Sequence, residues 1–162
     1  MYKKNSNIFV PISGRYIKNY IKDATILKYS ELKNYSELPE LPLILLYEIK
    51  PNIGHWVTVI KTPEGIEHFD SYGYEPDGEF IFIPDDMKEK YKYLVNLLIN
   101  TGEQINYNNY KLQDEPPIAT CGRWCILRNL LSNLTTDQFN RVVTIVSKKF
   151  NISNDEMVSI II

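Results

Sequence analysis

The chain has 162 residues, 44% of them hydrophobic and 23% charged, with a net charge of −2. That composition fits one globular domain over 1–162 and argues against a disordered chain or one built to coat nucleic acid. No apolar run approaches the roughly 18 residues that cross a bilayer, and the apolar part of "MYKKNSNIFVPISGRY" is too short for a secretory signal, so a soluble intracellular protein is expected.

Two cysteines four residues apart make neither a disulfide framework nor a redox or zinc pair, and the two histidines lie far from them in sequence. Charge is uneven. Residues 64–89 hold nine Asp and Glu against one Lys, and residues 1–33 hold seven Lys and Arg against two acidic residues. Both stretches read as solvated faces.

In chain order, Ser13 precedes a short amphipathic helix, "RYIKNYIK", and "YSELKNYSEL" reads as a weak helix or turn stopped by Pro39 and Pro42. "LILLYEIK" (43–50) is a continuous apolar run of strand length, predicting a buried central strand. "HWVTVIKT" (55–62) and "IEHFDSYG" (66–73) flank the turn "TPEG" and predict an antiparallel hairpin. "EFIFIP" (79–84) predicts a fourth strand, and Asp85–Asp86 the start of a helix with Met87, Tyr91, Leu94, Val95 and Leu98 on one face, closed by Gly102. "INYNNYKLQ" (105–113) alternates like a half-buried strand. Helices follow from Cys121 and from the capping boxes "TTDQ" (135–138) and "SNDE" (153–156). The expected fold is α+β, a mostly antiparallel central sheet flanked by helices.

Three features point to chemistry. If Lys61 pairs with Ile66 across the turn, opposed residues sum to 127, and His55 and Asp70 become diagonal neighbours on one face. A slip of one residue would part them. A histidine held by an aspartate is a positioned base, its tautomer fixed and its cation stabilised. Second, the helix at "TCGRWC" begins on Cys121 and Gly122, although Gly costs about 1 kcal/mol inside a helix. Thr120 suits the cap position; Cys121 in the first turn gains the helix dipole, which favours a thiolate. Gly122 is expected to let a substrate backbone come close. Third, Gln113 ends the preceding strand and offers an amide N–H beside the free N–H of Cys121, with Pro116 and Pro117 stiffening the loop between. Cys125, Trp124 and Leu127 read as core, and His68 as a structural or surface histidine. Asp114 and Glu115 are loop carboxylates within reach of Gln113.

"GHW", "FDS", "LQ" and "TCGRWC", in that order, resemble the cysteine proteases of the adenovirus endopeptidase (adenain) type and the related SUMO-specific proteases. The resemblance covers roughly residues 43–131. It implies a Cys–His–Asp triad with Cys121 as nucleophile, His55 as general base and acid, Asp70 as its orienter and Gln113 in the oxyanion hole. It also implies that Trp56, with Gly122, borders the substrate groove. The small size resembles viral maturation proteases, which implies a virus or virus-like element. The substrate would then be a capsid or scaffold precursor cut after small residues such as Gly, in the host cytoplasm or nucleus or in the virion. Ubiquitin- or SUMO-type isopeptidases, acetyltransferases using the same triad and a non-catalytic binding module are the alternatives. No metal, cofactor, nucleic acid or membrane partner is expected. The eight-residue step from Gln113 to Cys121 calls for a slightly longer loop than the resemblance implies.

Overall fold

The computed structural model describes residues 6–162. Five strands form one mixed sheet in sequence order: β1 (Thr25–Lys28), β2 (Leu43–Lys50), β3 (Ile53–Thr62), β4 (Gly65–Phe69) and β5 (Ile105–Tyr107). The two inner pairings, β2–β3 and β3–β4, are antiparallel, and the two outer ones, β1–β2 and β4–β5, are parallel. Among the described residues five α-helices surround it: α1 (Gly14–Tyr20), α2 (Tyr93–Asn100), α3 (Cys121–Leu130), α4 (Thr136–Phe150) and α5 (Asn154–Ile161). The fold is therefore α+β, a mixed sheet whose two longest ladders, β2–β3 and β3–β4, are antiparallel, flanked by helices.

Both faces of the sheet are covered, which explains why β2 is apolar without alternation. Ile44 and Leu46 point into a core made with α1, α3, α4 and α5. Leu43, Leu45 and Tyr47 point into a second core with Val57, Val59, Phe80, Leu94 and Leu98. Glu67 on β4 faces α3, where it accepts from Arg128 Nε at 2.7 Å; both side chains are buried, and Arg128 also donates to the carbonyls of Leu131 and Leu134. Such a pair positions α3 on the sheet more than it adds net stability.

The hairpin register is the expected one. Lys61 pairs with Ile66, Val59 with His68 and Thr58 with Phe69. At the other end of β3, the chain crosses β2 so closely that a Cβ on Gly54 would overlap the Tyr47 carbonyl. Glycine is needed there for close approach of two backbones, immediately before His55.

Three segments depart from the sequence-based expectation. Residues 79–84 are not a strand: Gly78–Phe82 form a 3₁₀ turn. Phe80 and Ile83 are buried while Ile81 and Phe82 are exposed, the three-residue period of that helix type rather than the two-residue period of a strand. The helix expected from Asp85 begins only at Tyr93; residues 85–92 are turns and irregular chain. Its first turn is held from afar, with Val95 N–H donating to Asp77 Oδ2 at 3.0 Å and Leu94 N–H to the Tyr29 hydroxyl at 3.2 Å. The strand expected over 105–113 stops at Tyr107 because Asn108 leaves the ladder to pair with Asp70.

The caps at Ser13, Thr135 and Ser153 form, each side chain accepting from the backbone N–H three residues on; the box expected at Thr135 is complete, with Gln138 Oε1 accepting the Thr135 N–H, while at Ser153 only the side-chain half is formed. Cys125, Trp124 and Leu127 are core. His68 is 1% exposed with both ring nitrogens unpartnered, and burial lowers its pKa to about 4. The unfolded chain therefore takes up a proton between about pH 6.5 and 4 that the native state refuses, and stability falls as the pH drops through that window. His68→Leu is expected to remove up to about 3 kcal/mol of that pH dependence. Urea unfolding of both proteins at pH 7 and pH 4.5 measures it; equal slopes with pH would mean His68 is charged in the native state.

Candidate active site

The site lies where the N-terminal end of β3, the chain just after β4, the 78–82 turn and the start of α3 meet. His55 shares the sheet face of Val57 and Val59, and Asp70 follows β4 on the same side. His55 Nε2–H donates to Asp70 Oδ1 at 2.8 Å, so the diagonal pairing expected from the turn is formed. Asp70 Oδ1 also accepts the Tyr72 backbone N–H at 2.8 Å. Its main chain is fixed by Asn108, whose Oδ1 accepts from Asp70 N–H at 2.9 Å and whose Nδ2 donates to Asp70 C=O at 2.6 Å. The amide of Asn108 thus substitutes for a strand partner where the ladder has ended. Tyr72 stacks on the imidazole with centroids 4.6 Å apart at 17°.

Cys121 opens α3 and is 7% exposed. The Trp56 backbone N–H donates to its Sγ at 3.5 Å. Burial works against a thiolate, but the His55 cation and a hydrogen bond from it prevail, helped by the N–H groups of Trp56 and Gly122, and the thiol pKa falls below its ordinary value. His55 shows the reciprocal effect. Burial opposes the imidazolium, yet Asp70 and the Cys121 sulfur raise its pKa well above the usual value. Asp70, despite burial, is held down to about 2 by His55. The three groups thus favour thiolate, imidazolium and carboxylate together.

Thr120 does not cap α3 with its side chain. Its hydroxyl instead donates to Asp155 Oδ1 on α5 at 2.5 Å, alongside Trp124 Nε1 at 3.3 Å, while Asp155 Oδ2 accepts the Asp114 N–H at 2.9 Å. One carboxylate therefore clamps both ends of the 114–120 loop. The first N–H groups of α3 are left without a side-chain cap, available to an anion at the sulfur.

Gln113 is 2% exposed, and its amide orientation is fixed by two partners. Its Oε1 accepts from Ser71 Oγ at 2.6 Å, and its Nε2 donates one hydrogen to Ile118 C=O at 3.1 Å. A carbonyl can only accept, so the nitrogen must lie on that side, and the second hydrogen has no protein acceptor among the described residues. Asp114 and Glu115 play no part in orienting it: Asp114 is held through its N–H by Asp155, and Glu115 pairs with Lys111. A cis peptide joins Pro116 to Pro117 in this loop.

A groove of about 910 Å³ runs past these groups, with His55, Trp56, Tyr72, Phe82, Gln113 and Cys121 on its walls. Trp56 is a fixed wall, its indole N–H donating to Ile12 C=O at 3.2 Å. Gly122 has a different neighbour from the one expected. A Cβ there would lie 2.6 Å from Ile12 Cγ1 and 3.2 Å from Trp56 Cδ1, so the glycine admits the chain's own 12–13 segment against the helix start rather than opening space for a substrate.

Glu79 is the acidic neighbour that periodicity missed, because "EFIFIP" reads as a strand. From the 3₁₀ turn its Oε1 lies 3.5 Å from His55 Nε2. His55, Asp70 and Glu79 offer one ligand atom each within 4.8 Å of one another, the spacing of a metal cluster. The 2.8 Å His55–Asp70 hydrogen bond would have to open for an ion, since ligands at roughly 2.0–2.1 Å from a tetrahedral metal stand about 3.3 Å apart.

The fold and site together define an α+β protein carrying a thiol, an imidazole and a carboxylate in line beside an apolar groove. No protein-family model matches the chain. It is 35% identical over 149 residues to the uncharacterized protein V9 of Sputnik virophage, covering 85% of each sequence. The chain belongs to the family of that virophage protein.

Proposed function

We propose that the protein is a cysteine endopeptidase. The observation that carries this reading is the Cys121–His55–Asp70 line with an uncommitted Gln113 N–H beside it. Cys121 thiolate attacks a scissile carbonyl, and the Cys121 N–H and Gln113 Nε2–H receive the developing oxyanion. The His55 imidazolium gives its proton to the leaving amine, then takes one from the water that hydrolyses the thioester. Asp70 holds His55 in the tautomer that presents its other nitrogen to the sulfur. The Trp56 wall favours substrates with small residues, glycine above all, before the cut.

The kinship with a virophage protein supports a viral setting, and with it a capsid or scaffold precursor as substrate, in the infected cell or the virion. Among the described residues no helix is long and apolar enough to cross a membrane.

A peptide aldehyde or vinyl sulfone ending in Gly-Gly tests the reading: it is expected to label Cys121, and a peptide library is expected to be cut after small residues. Labelling by a ubiquitin- or SUMO-derived probe in preference to short peptides would favour an isopeptidase. No labelling and no cleavage would leave a binding module on this fold.

A further inference from the structure

Two carboxyl groups crowd one imidazole nitrogen, and each keeps a buried oxygen without a hydrogen-bond partner among the described residues. Asp70 Oδ2 and Glu79 Oε1 are both without a hydrogen-bond partner, in residues 0% and 4% exposed. Both belong to side chains clustered on His55 Nε2. Two carboxylates this close and this dry cannot both be ionised. The proton's place follows from the neighbours. Asp70 Oδ1 accepts from His55 and from the Tyr72 N–H, and both bonds favour its anion. Among the described residues no hydrogen bond from a neutral donor reaches Glu79, and the His55 cation beside it is already matched by Asp70.

We propose that Glu79 is a positioning residue of the site: a neutral carboxylic acid whose O–H donates to Asp70 Oδ2 and so fixes the carboxylate that holds His55. This inference rests on the reading of Cys121, His55 and Asp70 as a catalytic line. Two consequences follow. The donation satisfies the remaining Asp70 oxygen, which keeps Oδ1 turned toward the imidazole. Neutrality also withholds a second negative charge from His55 Nε2, so that the imidazolium stays acidic enough to give up its proton. Burial, together with the hydrogen bond to Asp70 and the Asp70 charge, raises the Glu79 pKa to about 9. The titratable groups facing it are His55 from β3, Asp70 after β4, Cys121 from α3, and Tyr72 and Tyr74 from the loop after β4.

The test compares wild type with Glu79→Gln, which keeps a neutral N–H donor, and Glu79→Leu, which keeps neutrality and loses the donor. Iodoacetamide alkylation of Cys121 against pH reads the imidazolium–thiolate pair. Loss of about one pKa unit of support for His55 is a tenfold change, so Glu79→Leu is expected to alkylate about tenfold more slowly at pH 6 and Glu79→Gln to recover most of that loss. The alkaline inflection near pH 9 is expected in wild type alone. Infrared difference spectra give a readout free of catalysis: a protonated carboxyl band at pH 7 in wild type that Glu79→Gln lacks. Should Glu79→Leu not fold, Glu79→Gln and the infrared band decide. An unchanged band in Glu79→Gln, Leu behaving as wild type, or Gln as impaired as Leu would overturn the proposal. If band and alkylation behave as expected but no peptide is cut, the protease reading fails while the role of Glu79 stands.

Discussion

Cys121→Ala is expected to abolish peptide cleavage, by a factor of about 10⁴ or more, because no other group can form the thioester and a nucleophile lost from a working unit takes nearly all of the unit's effect with it. The fold should survive. Cys121 sits at a helix start, its neighbour Gly122 rather than its own sulfur accommodates Ile12, and alanine is a good helix former. The cysteines make the experiment clean. Cys125 is fully buried, and burial pushes its thiol pKa well up, so wild type should take one equivalent of iodoacetamide near neutral pH and Cys121→Ala none. His55→Ala should keep the thiol but slow its alkylation at pH 6, since the cation that stabilises the thiolate is gone. Mass spectrometry and circular dichroism check all three. Cleavage retained by a folded Cys121→Ala would remove it as nucleophile.

The second large effect is expected at Gln113. Its Nε2 spends one hydrogen on Ile118 C=O and its Oε1 is held by Ser71, so the amide is fixed before substrate arrives and its second hydrogen is left uncommitted. A donor fixed in advance and engaged only by the tetrahedral oxyanion lowers the barrier without tightening ground-state binding. Gln113→Ala should therefore lower kcat by about 10²–10³, roughly 2.7–4 kcal/mol, with KM nearly unchanged. Gln113→Glu should be at least as poor, because a carboxylate there would repel the oxyanion and face the Ile118 carbonyl without a donor. Ser71→Ala should give a smaller loss of the same kind, since it frees the amide to rotate. Steady-state kinetics on a cleavable peptide distinguish these outcomes. A loss confined to KM would place Gln113 in substrate binding instead.

The sequence by itself determined the parts whose partners are local. A two-residue turn at Pro63–Glu64 fixes the β3–β4 register, and alternation then carries that register along both strands to bring His55 and Asp70 to one face. The caps at Ser13, Thr135 and Ser153 need only residues three positions away. The continuous apolar run of β2 announced a strand buried on both faces.

Tertiary structure alone decided whatever depends on a distant partner. Thr120 looks like a cap but is drawn off by Asp155, 35 residues away, which leaves the helix start open beside the sulfur. Residues 79–84 have the composition of a strand, but Phe80 and Ile83 bury together only on a three-residue turn packed on Tyr29 and Tyr47. That turn delivers Glu79 to His55. Periodicity reports which side chains one element buries; it carries nothing about which buried acid another element will bring to meet them, because that depends on long-range packing and on the desolvation that packing imposes.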